Sequence, residues 1–369
     1  MGPGPPAGRE IVVPTRYGPH VTTQTTIVWS SFDGRYSDNP RALYERLRAE
    51  RDDLTHVWLA RDELRHTFPT DVELVTSRTP EAARALESAD LVFASSHIEV
   101  EWDKKPGATY VQTWHGTPLK TVHWDVLWAP EGKLVALDRD VQRWDLLLSP
   151  NPHATRYLTQ AFRWEGELLE SGYPRNDVLS PPRHDARRAE VRTALGIDPR
   201  ATVVLYAPTW RDAEGYDTSL DVPVRLELDR FGDALGDDHV LLLRAHNMVA
   251  GRWHVDDHDW LRDVSLTPPD AADLYCAADV LVTDYSSAMF DWTVTGRPLL
   301  YLASDLEQYA SQTRGFYVDL FPEAPGPVLR STEELVAALV DLPTVEKVHA
   351  ERYAAFRERF TPHEDGHAT

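Results

Sequence analysis

The sequence is poor in cysteine, in positive charge and in long apolar runs. Its single cysteine, Cys276, has no partner for an intrachain disulfide or a cysteine metal cluster, which fits a reducing compartment. The 38 Lys and Arg residues against 59 Asp and Glu residues leave a formal charge of −21, which argues against a general nucleic-acid binder. No stretch approaches the roughly 18 apolar residues of a membrane span, and the opening MGPGPPAGRE lacks the apolar centre of a signal peptide. We therefore expect a cytoplasmic protein.

What the sequence does contain is typical of a folded protein with alternating strands and helices. Hydrophobic residues make up 42% and charged residues 26% of the 369 positions, and this length is enough for two domains. Short β-branched runs alternate with segments of helical period, as in βαβ units around parallel sheets. The predicted strands are Thr26–Ser30, Val57–Ala60, Glu73–Thr76, Leu91–Ser95, Thr109–Trp114, Leu146–Ser149, Leu168–Ser171, Thr202–Ala207, Val240–Arg244, Val264–Thr267, Val280–Asp284 and Pro298–Leu302. The predicted helices are Pro40–Glu50, Pro80–Ser88, Pro152–Ala161, Val224–Leu235, Asp270–Ala278 and Ser286–Thr295.

A stretch rich in proline and arginine separates two such series. The segment GYPRNDVLSPPRHDARRAE, which begins at Gly172, carries three prolines, and we place the interdomain linker there. The predicted fold is α/β, with two Rossmann-like lobes around a central cleft as in GT-B transferases, and ligands at the carboxyl ends of the strands. We expect a flexible leader over residues 1–10, a first lobe over 11–178 and a second over 179–369, with the last helix returning to the first lobe.

The first candidate site residue is His115, in the segment QTWHGTPLK. Gly116 and Pro118 end the preceding strand abruptly, so His115 should project from the strand tip into the cleft. With a reference pKa of about 6.5, a histidine there can accept a proton near neutral pH. Because a histidine beside a glycine is more often structural, the assignment depends on the segments that follow.

The second candidate is a pair of cations at the end of the strand in LLLRAH. Strand alternation puts Arg244 and His246 on one face. Such a pair suits a phosphate, which arginine binds with its planar fork and histidine binds as a donor or acid. A strand that simply ends in solvated polar residues is an equally good interpretation of this segment alone.

The third candidate is VLVTDYSSAMFD, where a hydrophobic strand runs directly into a serine pair that opens a helix. The N–H groups and dipole of a helix start form an anion site, and a pyrophosphate would fit against Ser286 and Ser287. Serine is also a common helix cap where no ligand binds. Asp284 would repel an anion if it pointed inward, so we expect it to orient the serines or a ribose hydroxyl.

Two weaker segments and one rival metal site complete the candidates. Thr209 and Arg211 in YAPTWRD, and Arg175 in GYPRND, follow strands and face the proposed cleft, although polar loops explain both equally well. No Gly-rich phosphate loop, HExxH motif or Cys/His ligand set is present in the sequence. Asp257 and Asp259 have the Asp-x-Asp spacing of metal-dependent transferases, but no apolar strand precedes them. We therefore favour a solvated loop and expect no metal and no cofactor.

Taken together, these segments resemble the CDP-glycerol glycerophosphotransferase family, the teichoic-acid polyol-phosphate transferases. In chain order the resemblance is carried by SDNP, WHGTPLK, GYPRND, YAPTWRD, RAH, VLVTDYSSAMFD, RGFY and EDGHA. It implies a GT-B-like fold with the acceptor side in the first lobe and the donor nucleotide in the second. It also implies catalytic roles for His115 and His246 and phosphate binding by Ser286 and Ser287. Gly116, Thr117 and Lys120 are expected on the acceptor side of the cleft, together with Arg175.

The expected reaction is in-line displacement at the donor phosphorus, with transfer of a polyol phosphate and release of CMP. His115 would take the proton of the acceptor hydroxyl while Arg244, His246 and the serine pair hold the pyrophosphate. The expected partners are CDP-glycerol or CDP-ribitol and a lipid-linked or polymeric hydroxyl acceptor of a cell-wall or capsule polymer, with no nucleic acid. A peripheral contact with the inner face of the cell membrane is compatible with this reaction.

Two other functions stay open at the sequence level. A GT-B glycosyltransferase that uses a nucleotide sugar would have the same cleft, and its product would gain no phosphorus from the donor. A non-catalytic module that binds anionic polymer would have no need of a base, and the charge of −21 would repel a polyanion unless the cleft is locally basic.

Overall fold

The computed structural model describes residues 24–209, 224–245, 258–268, 270–306, 315–318 and 321–369. The predicted leader over residues 1–10 lies outside the described residues. So do three residues singled out from the sequence, Arg211, His246 and Asp257. The first part of the chain forms a parallel sheet and four α-helices. Its strands are β1 Thr25–Ser30, β2 Leu54–Ala60, β3 Glu73–Thr76, β4 Leu91–Ala94, β5 Thr109–Gln112, β6 Leu146–Ser149 and β7 Glu167–Glu170. Its helices are α1 Asp38–Glu50, α2 Pro80–Ser88, α3 Lys133–Val141 and α4 Pro152–Phe162.

The second part forms another parallel sheet with its own helices. Its strands are β8 Thr202–Tyr206, β9 His239–Leu243, β10 Leu261–Asp263, β11 Val280–Thr283, β12 Leu299–Leu302 and β13 Val328–Leu329. The helices that follow the first lobe are α5 Arg183–Ala194, α6 Leu228–Leu235, α7 Ala271–Ala277, α8 Ala288–Thr293, α9 Thr332–Val340 and α10 Leu342–Phe360. A 3₁₀ turn, Pro174–Leu179, joins β7 to α5.

The strand orders explain where a ligand can enter. The seven-stranded sheet has the order β3-β2-β1-β4-β5-β6-β7, and the six-stranded sheet has the order β10-β9-β8-β11-β12-β13. In each sheet the order reverses beside the first strand, which leaves a crevice at the carboxyl ends of β1 and β4, and of β8 and β11. The turns after these strands therefore open into the space between the sheets.

Local sequence accounts for most of these elements. The four residues of β11, VLVT, are all buried, as expected for a strand covered by helices on both faces. Asn151 caps α4 by accepting a hydrogen bond from the Ala154 amide at 2.8 Å, and Pro152 occupies the first helical turn. The same arrangement of a capping residue followed by proline begins α2, where Thr79 accepts from the Ala82 amide. The sequence therefore predicted both helix starts.

The predicted strand Val264–Thr267 is wrong, because the strand in this region ends at Asp263, one residue before the predicted start. The strand β10 covers Leu261–Asp263 at the edge of its sheet, where charged residues are tolerated and blur the hydrophobic pattern. The Asp263 carboxylate then accepts from the Ser265 amide at 2.9 Å. Ser265 Oγ in turn accepts from the Ala245 amide at 2.9 Å, so a side chain replaces the next step of the ladder.

Helices α3, α5 and α9 were not predicted, and α5 shows why. It lies in the segment interpreted as a linker, and Val191 and Arg192 are its buried residues. Its arginines bind the loop that precedes β11, with Arg192 Nη2 at 2.6 Å from the Asp279 carboxylate. A helix held mainly by charged contacts lacks the apolar stripe by which helices are predicted.

The last helix joins the two lobes. Phe356 and Phe360 of α10 pack on Phe290 of the second lobe, with ring centroids 5.5 and 4.8 Å away. At its end, the Phe360 carbonyl accepts a hydrogen bond from Asn151 Nδ2 of the first lobe at 2.7 Å. Among the described residues, no helix is both long enough and apolar enough to span a bilayer.

Candidate active site

A cavity of about 420 Å³ lies between the carboxyl ends of the two sheets. It is lined by nine of the residues predicted from the sequence: His115, Gly116, Thr117, Lys120, Arg175, Thr209, Arg244, Ser286 and Ser287. Asp284 is buried and is not among the residues that line the cavity. The remaining two candidates, Arg211 and His246, lie outside the described residues.

The backbone before His115 adopts an unusual conformation that is held from three directions. Trp114 has a φ of 52°, in the left-handed region that non-glycine residues rarely adopt. Its amide donates to Gln112 Oε1 at 2.9 Å, and its carbonyl accepts from Asn39 Nδ2 at 3.0 Å. The Thr113 hydroxyl donates to the same carbonyl at 3.1 Å. These contacts offset the strain and place His115 in the cavity wall.

The surroundings of His115 fix its tautomer and keep it neutral. Nδ1 is hydrogen-bonded to the Ser95 carbonyl, and because a carbonyl only accepts, Nδ1 carries the proton and Nε2 is free of one. The ring stacks on Trp114 with centroids 4.2 Å apart and contacts Phe32 at 5.0 Å. Burial lowers the pKa of His115 to about 4 against the opposing effect of the Ser95 hydrogen bond. The residue is therefore a neutral imidazole near pH 7, with Nε2 able to accept a proton.

The lobes touch where Gly116 meets the serine pair. A Cβ placed on Gly116 would lie 3.2 Å from Ser287 Oγ and 3.9 Å from an Arg175 guanidinium nitrogen. The Gly116 amide donates to the Tyr173 hydroxyl at 3.2 Å. Glycine therefore allows the first-lobe turn that carries His115 to approach the second-lobe turn that carries Ser287.

The serine pair precedes its helix instead of opening it as predicted. Helix α8 is Ala288–Thr293, and Ser287, just before it, makes no side-chain capping bond. Ser286 Oγ accepts from the Ala288 amide at 3.3 Å. Asp284 Oδ1 accepts from the Thr209 amide at 2.7 Å and from the Tyr285 amide at 2.6 Å. This buried carboxylate thus joins the turns after β8 and β11.

Two predicted cations line the cavity in different electrostatic states. Arg244 Nη1 donates to the carbonyls of Val264 and Pro268, both at 2.7 Å, and burial lowers its pKa. Arg175 instead bridges two carboxylates, Asp38 Oδ2 at 2.7 Å and Asp291 Oδ2 at 2.8 Å. Burial alone would lower the pKa of Arg175, but the two carboxylates raise it well above its ordinary value. The charge of Arg175 is therefore largely neutralised by its neighbours.

Several cavity residues were not assigned from the sequence. Arg35, Asp38, Asp270 and Tyr275 line the cavity, and Asp291 completes the Arg175 bridge. The SDNP motif contains Asp38, but nothing in a motif states which charge it meets. The position of the turn after β1, beside the reversal of strand order, is the feature that would have predicted these residues at the site.

The described residues hold no group of three or more His, Cys, Asp or Glu side chains that could bind a metal ion. Asp259, from the rival acidic pair, lies in the turn before β10. His258 stacks on Trp260 there, with ring centroids 4.9 Å apart.

Two parallel-sheet lobes with the neutral histidine of one facing the serine turn of the other define a GT-B-like transferase. The chain belongs to the CDP-Glycerol:Poly(glycerophosphate) glycerophosphotransferase family, whose model matches residues 15–369. The family, the fold class and polyol phosphate transfer predicted from the sequence are thereby confirmed.

The relatives include proteins of teichoic acid synthesis. The teichoic acid glycerol-phosphate transferase of Staphylococcus aureus is 38% identical, over 93% of this chain and 90% of that protein. The teichoic acid poly(glycerol phosphate) polymerase of Staphylococcus epidermidis is 34% identical over 93% of this chain, which spans about half, 49%, of that polymerase.

Solved structures agree with the fold. The wall teichoic acid polymerase TagF superposes with a TM-score of 0.85 at 33% identity, over 94% of this chain and 86% of that one. A TagF variant soaked with CDPG gives a TM-score of 0.86. The UDP complex of S. aureus MnaA, 12% identical with a TM-score of 0.54, shares the fold alone.

Proposed function

We propose that the chain transfers glycerol phosphate from CDP-glycerol to a hydroxyl of a teichoic-acid-type acceptor and releases CMP. The identities of the relatives support glycerol as the polyol. Four relatives named for glycerol phosphate are 31–38% identical. Four named for ribitol phosphate are 23–27% identical. The observation that carries the proposal is the neutral His115, fixed as the Nδ1–H tautomer in the cleft wall.

In this reaction the acceptor hydroxyl attacks the phosphorus that bears the glycerol. The new oxygen–phosphorus bond forms as the bond from that phosphorus to the CMP oxygen breaks, and His115 Nε2 takes the hydroxyl proton. A base that is neutral at the working pH is ready for this transfer. The contact between Gly116 and Ser287 brings the histidine turn and the serine turn within reach of one phosphate.

The second lobe supplies groups for the leaving CMP. Arg244, Ser286 and Ser287 line the cavity opposite His115. A cation and two hydroxyl donors stabilise negative charge that shifts to the leaving phosphate in the transition state. The sequence adds His246 and Arg211 to this group by their motifs, and we retain them in the proposal with the same roles.

The acceptor side favours a lipid-linked substrate at a membrane surface. Lys120, Thr121 and Val122 line the cavity, and the chain continues through a 3₁₀ turn, His123–Asp125, to Leu127 and Trp128. These two side chains are 80% and 77% exposed. A tryptophan beside an aliphatic residue suits the lipid–water interface. We include a peripheral membrane contact at this loop in the proposal.

The deciding experiment offers the protein CDP-glycerol, CDP-ribitol and a UDP-sugar in separate reactions with a lipid-linked acceptor analogue. Release of CMP with CDP-glycerol, and gain of phosphorus by the acceptor, is the expected result. Turnover with the UDP-sugar alone would show a glycosyltransferase, and no turnover with any donor would leave a binding module. Cosedimentation with vesicles tests the membrane contact, which we expect Leu127→Ser with Trp128→Ser to weaken, whereas Val348→Ser, at an exposed apolar residue of α10, should have no effect.

A further inference from the structure

Arg35 is a buried cation that the proposed mechanism does not use. It lies in the turn between β1 and α1, is 4% exposed and lines the cavity. The turn is held by hydrogen bonds from the Gly34 and Arg35 amides to the Ser31 carbonyl at 2.9 and 2.8 Å. Gly34 has a φ of 115°, and a Cβ there would lie 2.4 Å from the Arg61 amide nitrogen. The position of Arg35 is therefore defined by a close-packed backbone.

The charges around Arg35 do not balance it. Burial, which is the largest cause, together with Arg244 and Arg61 lowers the pKa of Arg35 to about 10, while Glu63 opposes them. Among the described residues, the Arg35 guanidinium makes no hydrogen bond and no ion pair. Burying a cation without such a partner is costly.

Two other arginines with largely buried side chains are paired with carboxylates, which offsets this cost. Arg41 pairs with Asp270 and Asp273, and Arg175 pairs with Asp38 and Asp291. Arg35 differs from both because it faces open space and a second cation, Arg244, across the cleft. A buried guanidinium that forms no ion pair among the described residues, in the wall of a cavity that a second arginine also lines, is suited to an anion.

We infer that Arg35 binds a substrate phosphate and that, with Arg244, it forms an anion site shared by the two lobes. This inference rests on the proposed function, which supplies phosphate groups from two sources. One is the diphosphate of the donor, and the other is a phosphodiester of the acceptor next to the attacking hydroxyl. Arginine suits either source because its planar fork matches two phosphate oxygens.

The test compares Arg35→Gln and Arg35→Lys with Arg61→Gln as the matched control. Arg61 lies beside the same turn, but it does not line the cavity and contacts Asp33 through Nε and the Asp33 carbonyl at 3.3 Å. Calorimetry measures the affinity for CDP-glycerol. Steady-state CMP release measures kcat/KM for an acceptor analogue that ends in glycerol phosphate, and for the same analogue without that phosphate.

We expect Arg35→Gln to lower either the affinity for CDP-glycerol or kcat/KM for the phosphorylated acceptor by roughly tenfold to a hundredfold. This is the contribution of a hydrogen bond to a charged group. A fall in CDP-glycerol affinity identifies the donor diphosphate as the group that Arg35 binds. Unchanged donor affinity with a loss confined to the phosphorylated acceptor identifies the acceptor phosphodiester. Arg35→Lys should lose less than Arg35→Gln, and Arg61→Gln should match the wild type.

Thermal melts separate this role from a structural one. Removal of a buried cation that has no partner should leave Tm unchanged or raise it, whereas a structural arginine would lower it. If Arg35→Gln keeps both donor affinity and acceptor kcat/KM within twofold of the wild type, or lowers Tm and activity together, the inference is overturned. Absence of wild-type turnover with CDP-glycerol would instead contradict the proposed function. The affinities of the wild type and Arg35→Gln for inorganic pyrophosphate would then test the anion site alone, and equal affinities would overturn the inference.

Discussion

At the residue scale, the chemistry of His115 depends on one backbone carbonyl. The Ser95 carbonyl that follows β4 binds Nδ1 and so determines which ring nitrogen can act as a base. Burial against Trp114 and Phe32 removes water from the ring and favours its neutral form. Without this carbonyl the ring would populate both tautomers, and its pKa would be lower still, because the Ser95 hydrogen bond opposes the effect of burial.

The first prediction is that His115→Ala lowers CMP release by roughly 10²- to 10⁴-fold, the usual contribution of a general base. The fold should persist, because the strain at Trp114 is carried by other side chains. The measurement is kcat for CMP release beside a thermal melt. His66→Ala removes an exposed histidine of the same lobe and should have no effect. A His115→Ala variant with near wild-type kcat would contradict the base assignment.

The second prediction concerns the pH dependence of kcat/KM. Burial lowers the pKa of His115 to about 4, so the base loses its activity only as pH falls through that value. We expect kcat/KM to be retained from pH 7 down to about 5, in contrast to the decline near 6.5 of an unperturbed histidine. Circular dichroism at each pH excludes unfolding as the cause of any loss. An acidic limb centred near 6.5 would be inconsistent with a buried neutral His115.

At the element scale, the proposed reaction depends on two turns from different lobes that approach each other at Gly116. The turn after β5 carries His115 and Gly116, and the turn after β11 carries Ser286 and Ser287. Their separation is set by the space that Gly116 leaves beside Ser287 Oγ. Displacements of about 1 Å at such a point can cost on the order of 10² in rate.

The third prediction is therefore that Gly116→Ala lowers kcat by about tenfold or more with little change in Tm. The added methyl group would lie 3.2 Å from Ser287 Oγ, so one of the two turns has to shift by a few tenths of an ångström. Gly132→Ala is the control, since a Cβ there meets nothing within 4 Å and lies outside the cavity. Its φ of 74° makes that control the more strained of the two, so a larger activity loss in Gly116→Ala reports the contact and not the strain. Wild-type kcat in Gly116→Ala would show that the two turns need not approach closely.

At the scale of the whole molecule, the carboxyl-terminal segment fastens the connection between the lobes. The Ala368 and Thr369 amides both donate to the Asp177 carboxylate at 2.9 Å. Glu364 Oε1 accepts from the Tyr173 amide and from Asn176 Nδ2, both at 3.0 Å. The segment thereby joins the 3₁₀ turn Pro174–Leu179, which also positions Arg175 in the cavity wall.

The fourth prediction is a loss of stability as pH rises, caused by Glu364. Burial raises its pKa to about 8, and its Oε2 has no hydrogen-bond partner among the described residues. The folded state therefore holds a proton that the unfolded state releases near the ordinary value of 4.5. This contribution is fully present below pH 4.5 and is lost progressively as pH rises through 8.

The variant Glu364→Gln keeps a neutral side chain at every pH and tests this directly. We expect its Tm to match the wild type at pH 5 and to exceed it by at least about 2 °C at pH 9. Glu346→Gln, at an exposed position of α10, should follow the wild type at both values. Parallel pH dependence of Tm in wild type and Glu364→Gln would mean that Glu364 does not titrate in this range.

Much of the fold could be predicted because its signals are local. Strands β3 and β6 and helix α2 have the predicted bounds, Glu73–Thr76, Leu146–Ser149 and Pro80–Ser88. Each combines a short apolar run, or a cap followed by proline, with flanking polar residues. Edge strand β10 and helix α5 lack such local patterns and were not predicted correctly, because they are held by side chains elsewhere in the chain.

The same division holds for the site. Local sequence places His115, Arg244 and Ser286 at strand ends, and the order of motifs along the chain determines the family, because both depend on residues close together or on their succession. Tertiary structure alone decided which charges meet. Arg175 is neutralised by Asp38 and Asp291, which are 137 and 116 positions away. Arg35 forms no ion pair among the described residues, although Glu63 is near enough to raise its pKa. Such pairings depend on how the two sheets pack against each other, and no local pattern encodes that geometry.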